Sequence, residues 1–411
     1  MKKIIALSIC LFVLLSLCAC GVKNGGGQGA VSTPEAENGS TATAEPNEGE
    51  GSPITTIEPD YDTDTAVLDM NGERIGSLPE NTSVLMTDSG IFYTLVPDGG
   101  FGTVEYGLFD PATGEKKLLG SMDEQSYEAT YCRAELGGRI YTLAMTGVLS
   151  DGEPDTLWLL EFDPAGEMKK YEVEDNGFPY AYMAAVNGKL LIAEHDQRDK
   201  LYDRIFEFDP ASGALREVMC FELAAEAADG DTIRALCESD GKLYMLRVNH
   251  SQAGVRLYLD TYSFAYEKES ERDVTDLIAG AVEYMTGEKD YGEIEQLVSG
   301  FFIDNGIMYY ENFSMTHCLI ELESGRQLVE ASDLFAASSG SGKHFFVKMY
   351  EESAENVFEL EGGELAVRGF EGCKDGYFII GASASANGDR LIVTWAGAGA
   401  GKPVVVYYIH G

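Results

Sequence analysis

The fold is decided by residues 186–218, which read VNGKLLIAEHDQRDKLYDRIFEFDPASGALREV. This stretch contains two tight turns, Asn187-Gly188 and Asp209-Pro210-Ala211-Ser212-Gly213, and each lies between short runs of alternating apolar residues. Asn-Gly suits a two-residue hairpin because both positions take positive φ, while Pro and Gly suit the corresponding positions of a wider turn. The stretch therefore predicts antiparallel strands joined by a first turn and a second turn.

Both turns recur along the chain. The glycine that ends the first turn lies at Gly90, Gly138, Gly188, Gly241, Gly306, Gly342 and Gly388, with an average spacing of about 50 residues. The second turn recurs at 109–114, 162–166 and 208–213, with weaker copies at 323–325 and 361–363. Repeats of this length with four strands are typical of propeller blades, so we predict an all-β, seven-bladed β-propeller over 61–411. A pair of β-sandwiches and an eight-bladed propeller are the alternatives.

The two ends of the repeat region complement each other. Residues 66–75 read as the second half of a unit, and 404–409 read as a third strand without a fourth. We therefore expect the N-terminal strand to complete the last blade, which removes open sheet edges. An insertion over 273–299 contains a short predicted helix at 276–285, which either caps the loop side or links two blades.

The N-terminus has the pattern of an export signal. Lys2 and Lys3 precede an apolar run over 4–17, which is too short to span a bilayer but suits a signal peptide. The following Leu17-Cys18-Ala19-Cys20-Gly21 resembles a bacterial lipobox. The resemblance implies removal of residues 1–19 and lipidation of Cys20. An ordinary secretory signal that is cut elsewhere and an uncleaved anchor are the alternatives.

Residues 20–60 read as a disordered acidic linker. They are rich in Gly, Ser, Thr, Glu, Asn and Pro and contain few branched apolar side chains. Such a segment buries too little surface to offset the entropy of ordering. A flexible chain of this length has an end-to-end distance of roughly 35 Å, so it would hold a folded domain away from the membrane.

The charge balance limits the possible partners. Against 69 acidic residues there are 29 basic ones, which gives a formal net charge of −40. A nucleic-acid partner is therefore not expected, because phosphate binding needs a basic surface.

The five histidines show no zinc spacing, and we predict no cofactor and no metal. Five cysteines follow Cys20; we expect mostly buried thiols, with a disulfide between Cys220 and Cys237 as the alternative.

Residues 186–218 also resemble a Kelch-type unit, with a Gly-Lys turn, an apolar strand and then Phe-Asp-Pro and a Gly turn. The Kelch diglycine and Trp are absent. The turns are similar to those of quinoprotein propellers too, but their Trp in each blade is missing, since the chain contains two Trp residues. The resemblance implies a degenerate propeller of Kelch-like or quinoprotein-like type, and it concerns the fold only.

The candidate binding residues lie in segments between the second and third strands, on the side opposite the tight turns. Binding residues on a rigid scaffold usually lie in such loops. Charged and imidazole side chains in two neighbouring units could hold a polar ligand, and an indole could stack on a sugar or an aromatic ligand. The candidates are Glu194, His195, Asp196, Arg198, Arg247, His250 and Trp395.

These observations predict a bacterial surface lipoprotein that is anchored to the cell membrane through Cys20 and faces the extracytoplasmic side. The leading hypothesis is a monomeric, non-catalytic binding or scaffolding module for a surface protein or glycan. One alternative is a secreted carbohydrate-active enzyme that uses carboxylates of the loop side. Another is a membrane-proximal assembly or sensor subunit. A glycan-binding protein would show an exposed aromatic platform near Trp395.

Overall fold

The structure is a computed structural model of the chain. It describes residues 65–69, 73–79, 82–96, 103–122, 127–146, 156–174, 179–196, 202–222, 230–251, 254–286, 298–312, 317–328, 334–338, 342–348, 357–367, 377–397 and 405–410. All of these belong to the unit formed by residues 59–411. The predicted signal peptide, the lipidated Cys20 and the acidic linker lie outside the described residues.

The described residues form seven β-sheets, which we number by the position of their first turn along the chain. The first two strands, β1 (Thr65–Leu68) and β2 (Arg74–Leu78), belong to sheet 7. Sheet 1 contains β3 (Thr82–Thr87), β4 (Gly90–Leu95), β5 (Val104–Phe109) and β6 (Lys116–Met122). Sheet 2 contains β7 (Tyr127–Leu136), β8 (Arg139–Thr146), β9 (Thr156–Phe162) and β10 (Met168–Glu174).

The next two sheets repeat this pattern and are followed by the helix. Sheet 3 contains β11 (Pro179–Val186), β12 (Lys189–Asp196), β13 (Tyr202–Asp209) and β14 (Ala214–Glu222). Sheet 4 contains β15 (Gly230–Ser239), β16 (Lys242–Ser251), β17 (Gly254–Tyr262) and β18 (Lys268–Asp273). Helix α1 (Thr275–Thr286) comes next.

Sheets 5 to 7 complete the unit. Sheet 5 contains β19 (Val298–Asp304), β20 (Ile307–Asn312) and β21 (His317–Glu321). Sheet 6 contains β22 (Leu334–Ser338), β23 (His344–Lys348), β24 (Val357–Glu361) and β25 (Glu364–Val367). Sheet 7 contains β26 (Tyr377–Ala384), β27 (Arg390–Gly397) and β28 (Val405–His410). The predicted all-β fold class is confirmed, and four antiparallel strands are the usual sheet.

Each of the seven predicted first turns joins the first two strands of a sheet. In sheets 3, 4 and 5 both central residues of the turn have positive φ, as the Asn-Gly and Asp-Gly pairs predict. The non-glycine members are Asn187 (49°), Asp240 (50°) and Asn305 (47°). Local sequence therefore determines these hairpins.

The second turns use an aspartate side chain as a hydrogen-bond acceptor. Asp110, Asp163 and Asp209 each accept a bond through Oδ1 from the amide two residues later, at 2.8, 2.7 and 2.9 Å respectively. Sheet 4 has a second turn that lacks both Pro and Gly, over 263–267, and the sequence did not predict it. There Ser263 replaces the aspartate, and its Oγ accepts from Ala265 N at 3.2 Å.

The N-terminal strand joins the last sheet, as predicted. Residues 66–68 of β1 pair with residues 405–407 of β28. The pairing is parallel, and β2 then adds a fifth strand to the sheet. Val67 and Leu78 are fully buried in a core cluster that includes Met86 and Ile91 of sheet 1. The start of the unit is therefore tied both to its end and to the first sheet.

Helix α1 covers the region predicted to be helical. The amide of Thr275, its first residue, is bonded to Asp273 Oδ1 at 2.9 Å. Ile278 and Ala279 are buried in a core cluster with Leu257 of sheet 4 and Ile320 of sheet 5. The helix thus links sheets 4 and 5, which agrees with the blade-linking alternative.

Neighbouring sheets meet through a repeated contact, which we call a junction: the last two strands of one sheet contact the region of the second turn of the next. At junction 1/2, Lys117 Nζ donates to Pro164 O at 2.8 Å. At junction 2/3, the Tyr171 ring lies 4.7 Å from that of Phe208, centroid to centroid. At these two junctions a long side chain of one sheet therefore packs against the next sheet.

Three further junctions follow the same rule. At junction 3/4, Tyr266 Oη donates to Glu207 Oε2. At junction 4/5, Arg272 donates to Leu322 O. At junction 7/1, the backbone of Gly76 lies so close to the Phe109 ring that a Cβ there would be 2.5 Å from Cε2. Close packing at this seam therefore requires glycine.

The cysteine environments decide the disulfide alternative. Cys237 carries a free thiol and is buried in the cluster between sheets 4 and 5, and Cys318 is a second buried thiol. Burial raises the pKa of the Cys237 thiol and raises that of Cys318 to about 12. Cys237 therefore acts as a small apolar side chain, and the disulfide with Cys220 is not formed.

Candidate functional site

The predicted cluster Glu194-His195-Asp196 lies in the structure at the end of β12, not in a loop. Glu194 is paired with Arg204 across the sheet, and His195 with Asp203. The loop assignment was wrong because the strand extends further than its apolar run. The side chains of these three residues, and all of Arg198, lie outside the described residues, so their role in binding stays a prediction.

The partner strand β13 carries a carboxylate that sequence reasoning missed. Asp203 is fully buried, and its Oδ2 accepts a hydrogen bond from Ile233 N of β15 in the next sheet. Burying a carboxylate is unfavourable unless charged or polar groups satisfy it. Asp203 therefore links sheets 3 and 4 at their loop side, where its backbone pairs with His195.

Arg247 lies inside strand β16 and is 6% exposed, so its expected position beside a loop was also wrong. Its Nε donates to Asp260 Oδ2 at 2.9 Å, and its Nη2 donates to Glu271 Oε2 at 2.9 Å. The guanidinium carbon lies 4.8 Å from the centre of the Tyr258 ring, a cation–π contact. Arg247 thus holds three neighbouring strands of sheet 4 together.

The other two candidates lie near strand ends. His250 is the second-last residue of β16, where its backbone pairs with Gly230 and Val255. Its side chain is outside the described residues. Trp395 lies in β27 and is 2% exposed, packed in a core cluster with Val347 and Val393. The expected exposed platform at Trp395 is therefore wrong, because the indole is part of the core between sheets 6 and 7.

A second group of polar side chains lies at the loop side of sheet 5. Tyr309 Oη donates to Glu311 Oε2 at 2.6 Å and lies 3.2 Å from His317 Nδ1. His317 Nδ1 is 3.7 Å from the same carboxylate oxygen. Glu311 and His317 are direct cross-strand partners. The sequence signal was weak: an acid and a histidine that flank a short predicted loop.

Burial controls the protonation of this group. It lowers the pKa of His317 to about 4, so the imidazole is neutral at neutral pH. His344 is a second buried imidazole, and its ring stacks on that of Phe302 with a centroid distance of 3.7 Å. Burial lowers its pKa to about 4 against the opposing effect of Asp304. Both imidazoles therefore serve as uncharged packing and hydrogen-bonding groups.

Asp203 and the Tyr309 group thus lie at the loop side of sheets 3 and 5, each bonded to a neighbouring strand, whereas the partners of Arg247 lie towards the second turn of sheet 4. In the part of the chain that the structure describes, no three His, Cys, Asp or Glu side chains form a group that could hold a metal ion. Among these same residues, no helix is both long enough and apolar enough to cross a bilayer.

Comparisons with known proteins bear on the fold. No protein-family model matches the chain, and no curated protein matches it. The β-propeller domain of the Trilobed protease from Pyrococcus furiosus is similar, with a TM-score of 0.47, 12% identity and coverage of 80% of this chain and 94% of that one.

Two other solved structures are similar as well. A chain of the mitotic checkpoint complex has a TM-score of 0.44, 9% identity and coverage of 91% of this chain and 100% of its own. The alpha-L-arabinanase of Penicillium chrysogenum, complexed with arabinobiose, has a TM-score of 0.36 and 13% identity. That comparison covers 68% of this chain and 92% of the arabinanase. The activities in these names belong to those proteins.

Proposed function

We propose that this chain is an exported bacterial lipoprotein whose seven sheets are the blades of a β-propeller that binds a protein at the cell surface. Cys20 carries the lipid that anchors it to the membrane, and residues 21–60 form the linker. The recurring strand order and the pairing of residues 66–68 with residues 405–407 support the propeller. The protein faces the extracytoplasmic side and acts as a monomer.

The observation that carries the binding role is the bonding of the ionisable groups at the loop side. Asp203 accepts a hydrogen bond from Ile233 N of the next sheet, and Tyr309 connects Glu311 with His317. Proton transfer at neutral pH is best served by a pKa near 7, whereas that of His317 is about 4. These groups brace strand ends, and a braced scaffold that presents loops is suited to binding.

The charge favours a partner with a basic surface. With a formal net charge of −40, the chain attracts basic proteins and repels nucleic acids and anionic lipid head groups. Electrostatic complementarity of this kind raises the rate of association. A glycan is the weaker choice, because the indole that was expected to stack on it lies in the core.

Capture of partners tests the binding face. The tagged full-length chain is cross-linked in cells, extracted in detergent and compared with variants in which segments 147–155 and 197–201 are replaced by Gly/Ser sequences of equal length. We expect at least a fivefold loss of the captured partner. A control variant replaces Ala211 and Ser212, in a second turn on the opposite side, with Ser-Gly and should keep the partner. Equal capture of the partner by the wild type, the loop variants and the control variant would disprove the loop-side proposal.

Detergent phase partition tests the anchor separately. Cys20→Ala should move the protein from the detergent phase to the aqueous phase and abolish incorporation of radiolabelled palmitate. Cys18→Ala is the matched control, since it changes a nearby cysteine and leaves the lipidated position intact. Incorporation of palmitate into Cys20→Ala at the wild-type level would contradict lipidation at this residue.

A further inference from the structure

Junction 5/6 differs from the five junctions described above. At those junctions a side chain or a close backbone contact fills the space beside the second turn. At junction 5/6 a pocket of about 300 Å³ lies in this place. Its lining residues are Arg326, Leu328, Leu360, Gly363, Glu364 and Leu365.

Among the described residues, sheet 5 has three strands, and a short segment takes the place of a fourth strand beside the pocket. Beyond β21, an isolated bridge pairs Ile320 with Gln327, and Leu328 N donates to Leu319 O at 2.8 Å. Across the junction, Gly363 has a φ of 88° and contributes no side chain. A Cβ at Gly363 would lie 3.5 Å from Ile307 Cδ1, an ordinary contact distance, so the positive φ rather than lack of space favours glycine here.

The floor of the pocket is apolar. Leu360 is buried, and Leu328 and Leu365 are half-buried against the core cluster that contains Ile307 and Phe346. An apolar side chain placed here would lose contact with water and gain contact with leucine side chains, which is favourable in proportion to the area buried. The pocket has room for one large apolar side chain against these leucines, while Arg326 and Glu364 make part of the lining polar.

The rim of the pocket is acidic. Glu364 is exposed, and Glu361 is its cross-strand partner at the second turn. Glu323 is also exposed, in the turn that precedes Arg326. Arg326, the cation of the lining, lies with its Nε 3.5 Å from Glu321 Oε2, so an acid compensates its charge. A segment that carries lysine or arginine beside its apolar residue would complement this rim.

We propose that the pocket at junction 5/6 is a docking site for a basic segment of a partner protein, which inserts one apolar side chain between Leu328, Leu360 and Leu365. Lysine or arginine residues on either side of that side chain face Glu361 and Glu364. This site is separate from the loop side and does not depend on the lipid anchor. It gives the protein a second interaction surface whose specificity comes from an apolar floor and an acidic rim.

Fluorescence anisotropy with labelled peptides tests the proposal on the full chain in detergent micelles. The probes are Lys-Leu-Lys-Leu-Lys, Lys-Ser-Lys-Ser-Lys and Glu-Leu-Glu-Leu-Glu. We expect the first to bind at least tenfold more tightly than either of the others. The serine peptide measures attraction to the overall negative charge, so equal affinity for the leucine and serine peptides would overturn the proposal.

Two variants locate the binding at the pocket. Leu365→Asp and Glu364→Lys should each weaken binding of the leucine peptide at least fivefold. The matched controls are Leu118→Asp, an exposed leucine on β6, and Glu115→Lys, which follows the turn glycine of sheet 1 as Glu364 follows Gly363. If the controls weaken binding as much as the pocket variants, the proposal is wrong.

The remaining outcomes are also decisive. Thermal unfolding of each variant checks the fold, and exposed Glu364→Lys keeps the test valid if Leu365→Asp does not fold. A dimer that dissociates in Glu364→Lys would show that a second copy occupies the pocket, and it would overturn the proposal. Loop-replacement variants that keep the peptide affinity but lose the captured partner would separate this site from the loop-side function.

Discussion

Sheets 2 to 4 and sheets 5 and 6 are built from sequential antiparallel strands, four in each sheet except the three of sheet 5, but they bury different ionisable groups. In sheets 2 to 4, the buried groups on the third strands include the carboxylates Glu161, Glu207 and Asp260. In sheets 5 and 6, among the residues whose burial the structure describes, the buried ionisable groups include the imidazoles of His317 and His344. The same architecture is therefore stabilised by paired charges in one region and by neutral rings in the other.

The carboxylates are tolerated because cations approach them from both neighbouring strands. Glu207 Oε1 lies 2.8 Å from Lys189 Nζ and 2.8 Å from Arg216 Nη2. Burial alone would raise the pKa of Glu207, but the bonds from Lys189, Tyr266 and Arg216 outweigh it and hold the pKa below its ordinary value. Glu161 repeats the arrangement with Arg139 and Lys169. This region thus depends on complete sets of partners.

The imidazoles need no counter-charge while they stay neutral. His344 packs flat on Phe302, with an angle of 5° between the rings, and Phe346 and Tyr309 extend the aromatic group. Such a cluster gains its stability from packing and dispersion. We therefore expect the two regions to respond differently to mutation and to acid.

The largest effect is expected for Asp260→Asn in sheet 4. The neutral amide removes the carboxylate that pairs with both the buried Arg247 guanidinium and Lys268, while Glu271 still lies beside Arg247. Removing one member of a buried ion pair is costly, and we expect a loss of about 3 kcal/mol in the free energy of unfolding. Urea denaturation of the full chain measures it.

The control for this variant is Glu269→Gln, which breaks the exposed pair of Glu269 with Lys242 at 2.8 Å. Surface ion pairs contribute little, so its unfolding midpoint should match that of the wild type. Equal losses for the two variants would show that burial is not what makes the Asp260 pair important. If neither variant loses unfolding free energy, the stability of sheet 4 does not depend on its charged pairs as proposed.

Most of the hairpins could be predicted from local sequence, because Asn-Gly, Asp-Gly and Asp-Pro turns specify their own backbone geometry. The second turn of sheet 4 could not. There Tyr266 has a φ of 64°, a conformation that favours glycine, and its hydroxyl is bonded to Glu207 of the preceding sheet. A tertiary contact with a residue far earlier in the chain supports this turn, and local patterns do not contain that information.

The candidate site was harder to predict for the same reason. Polar residues at the ends of β12 and β16 interrupt the apolar alternation, so the sequence favoured loops where the strands continue. Arg247 reads as an exposed cation until Asp260, on the next strand, is known to face it. Trp395 precedes a Gly- and Ala-rich segment that indicated a loop, yet β27 continues to Gly397. Burial at these positions depends on pairing across strands and between sheets.

The second prediction concerns acid and the imidazole region. The pKa of His344 falls from 6.5 to about 4 on folding, so the unfolded chain binds this proton first as the pH decreases. Stability that is present above pH 6.5 is therefore lost as the pH falls towards 4. At pH 4.5 we expect His344 to account for a loss of about 2 kcal/mol, since each pKa unit corresponds to about 1.4 kcal/mol.

His344→Phe isolates this contribution, because it keeps a ring stacked on Phe302 and removes the titration. Urea denaturation at pH 7.5 and pH 4.5 should show a smaller difference for the variant than for the wild type. Carboxylates elsewhere in the chain affect both proteins equally and cancel in the comparison. The same pH dependence in both proteins would show that His344 does not contribute to acid sensitivity.

The smallest effect is expected for Tyr266→Phe at junction 3/4. The change removes the hydroxyl that is bonded to Glu207 and leaves Lys189 and Arg216 in place, so the carboxylate keeps two cations. A hydrogen bond to a charged group contributes about 1.5 kcal/mol, and we expect a loss of about that size or slightly less. Tyr171→Phe is the matched variant, because Tyr171 Oη is bonded to Glu161 at 3.1 Å within its own sheet. If Tyr266→Phe loses more unfolding free energy than Tyr171→Phe, the bond between sheets also supports the positive φ of the turn at Tyr266. Equal losses would show that a hydrogen bond between sheets contributes no more than one within a sheet.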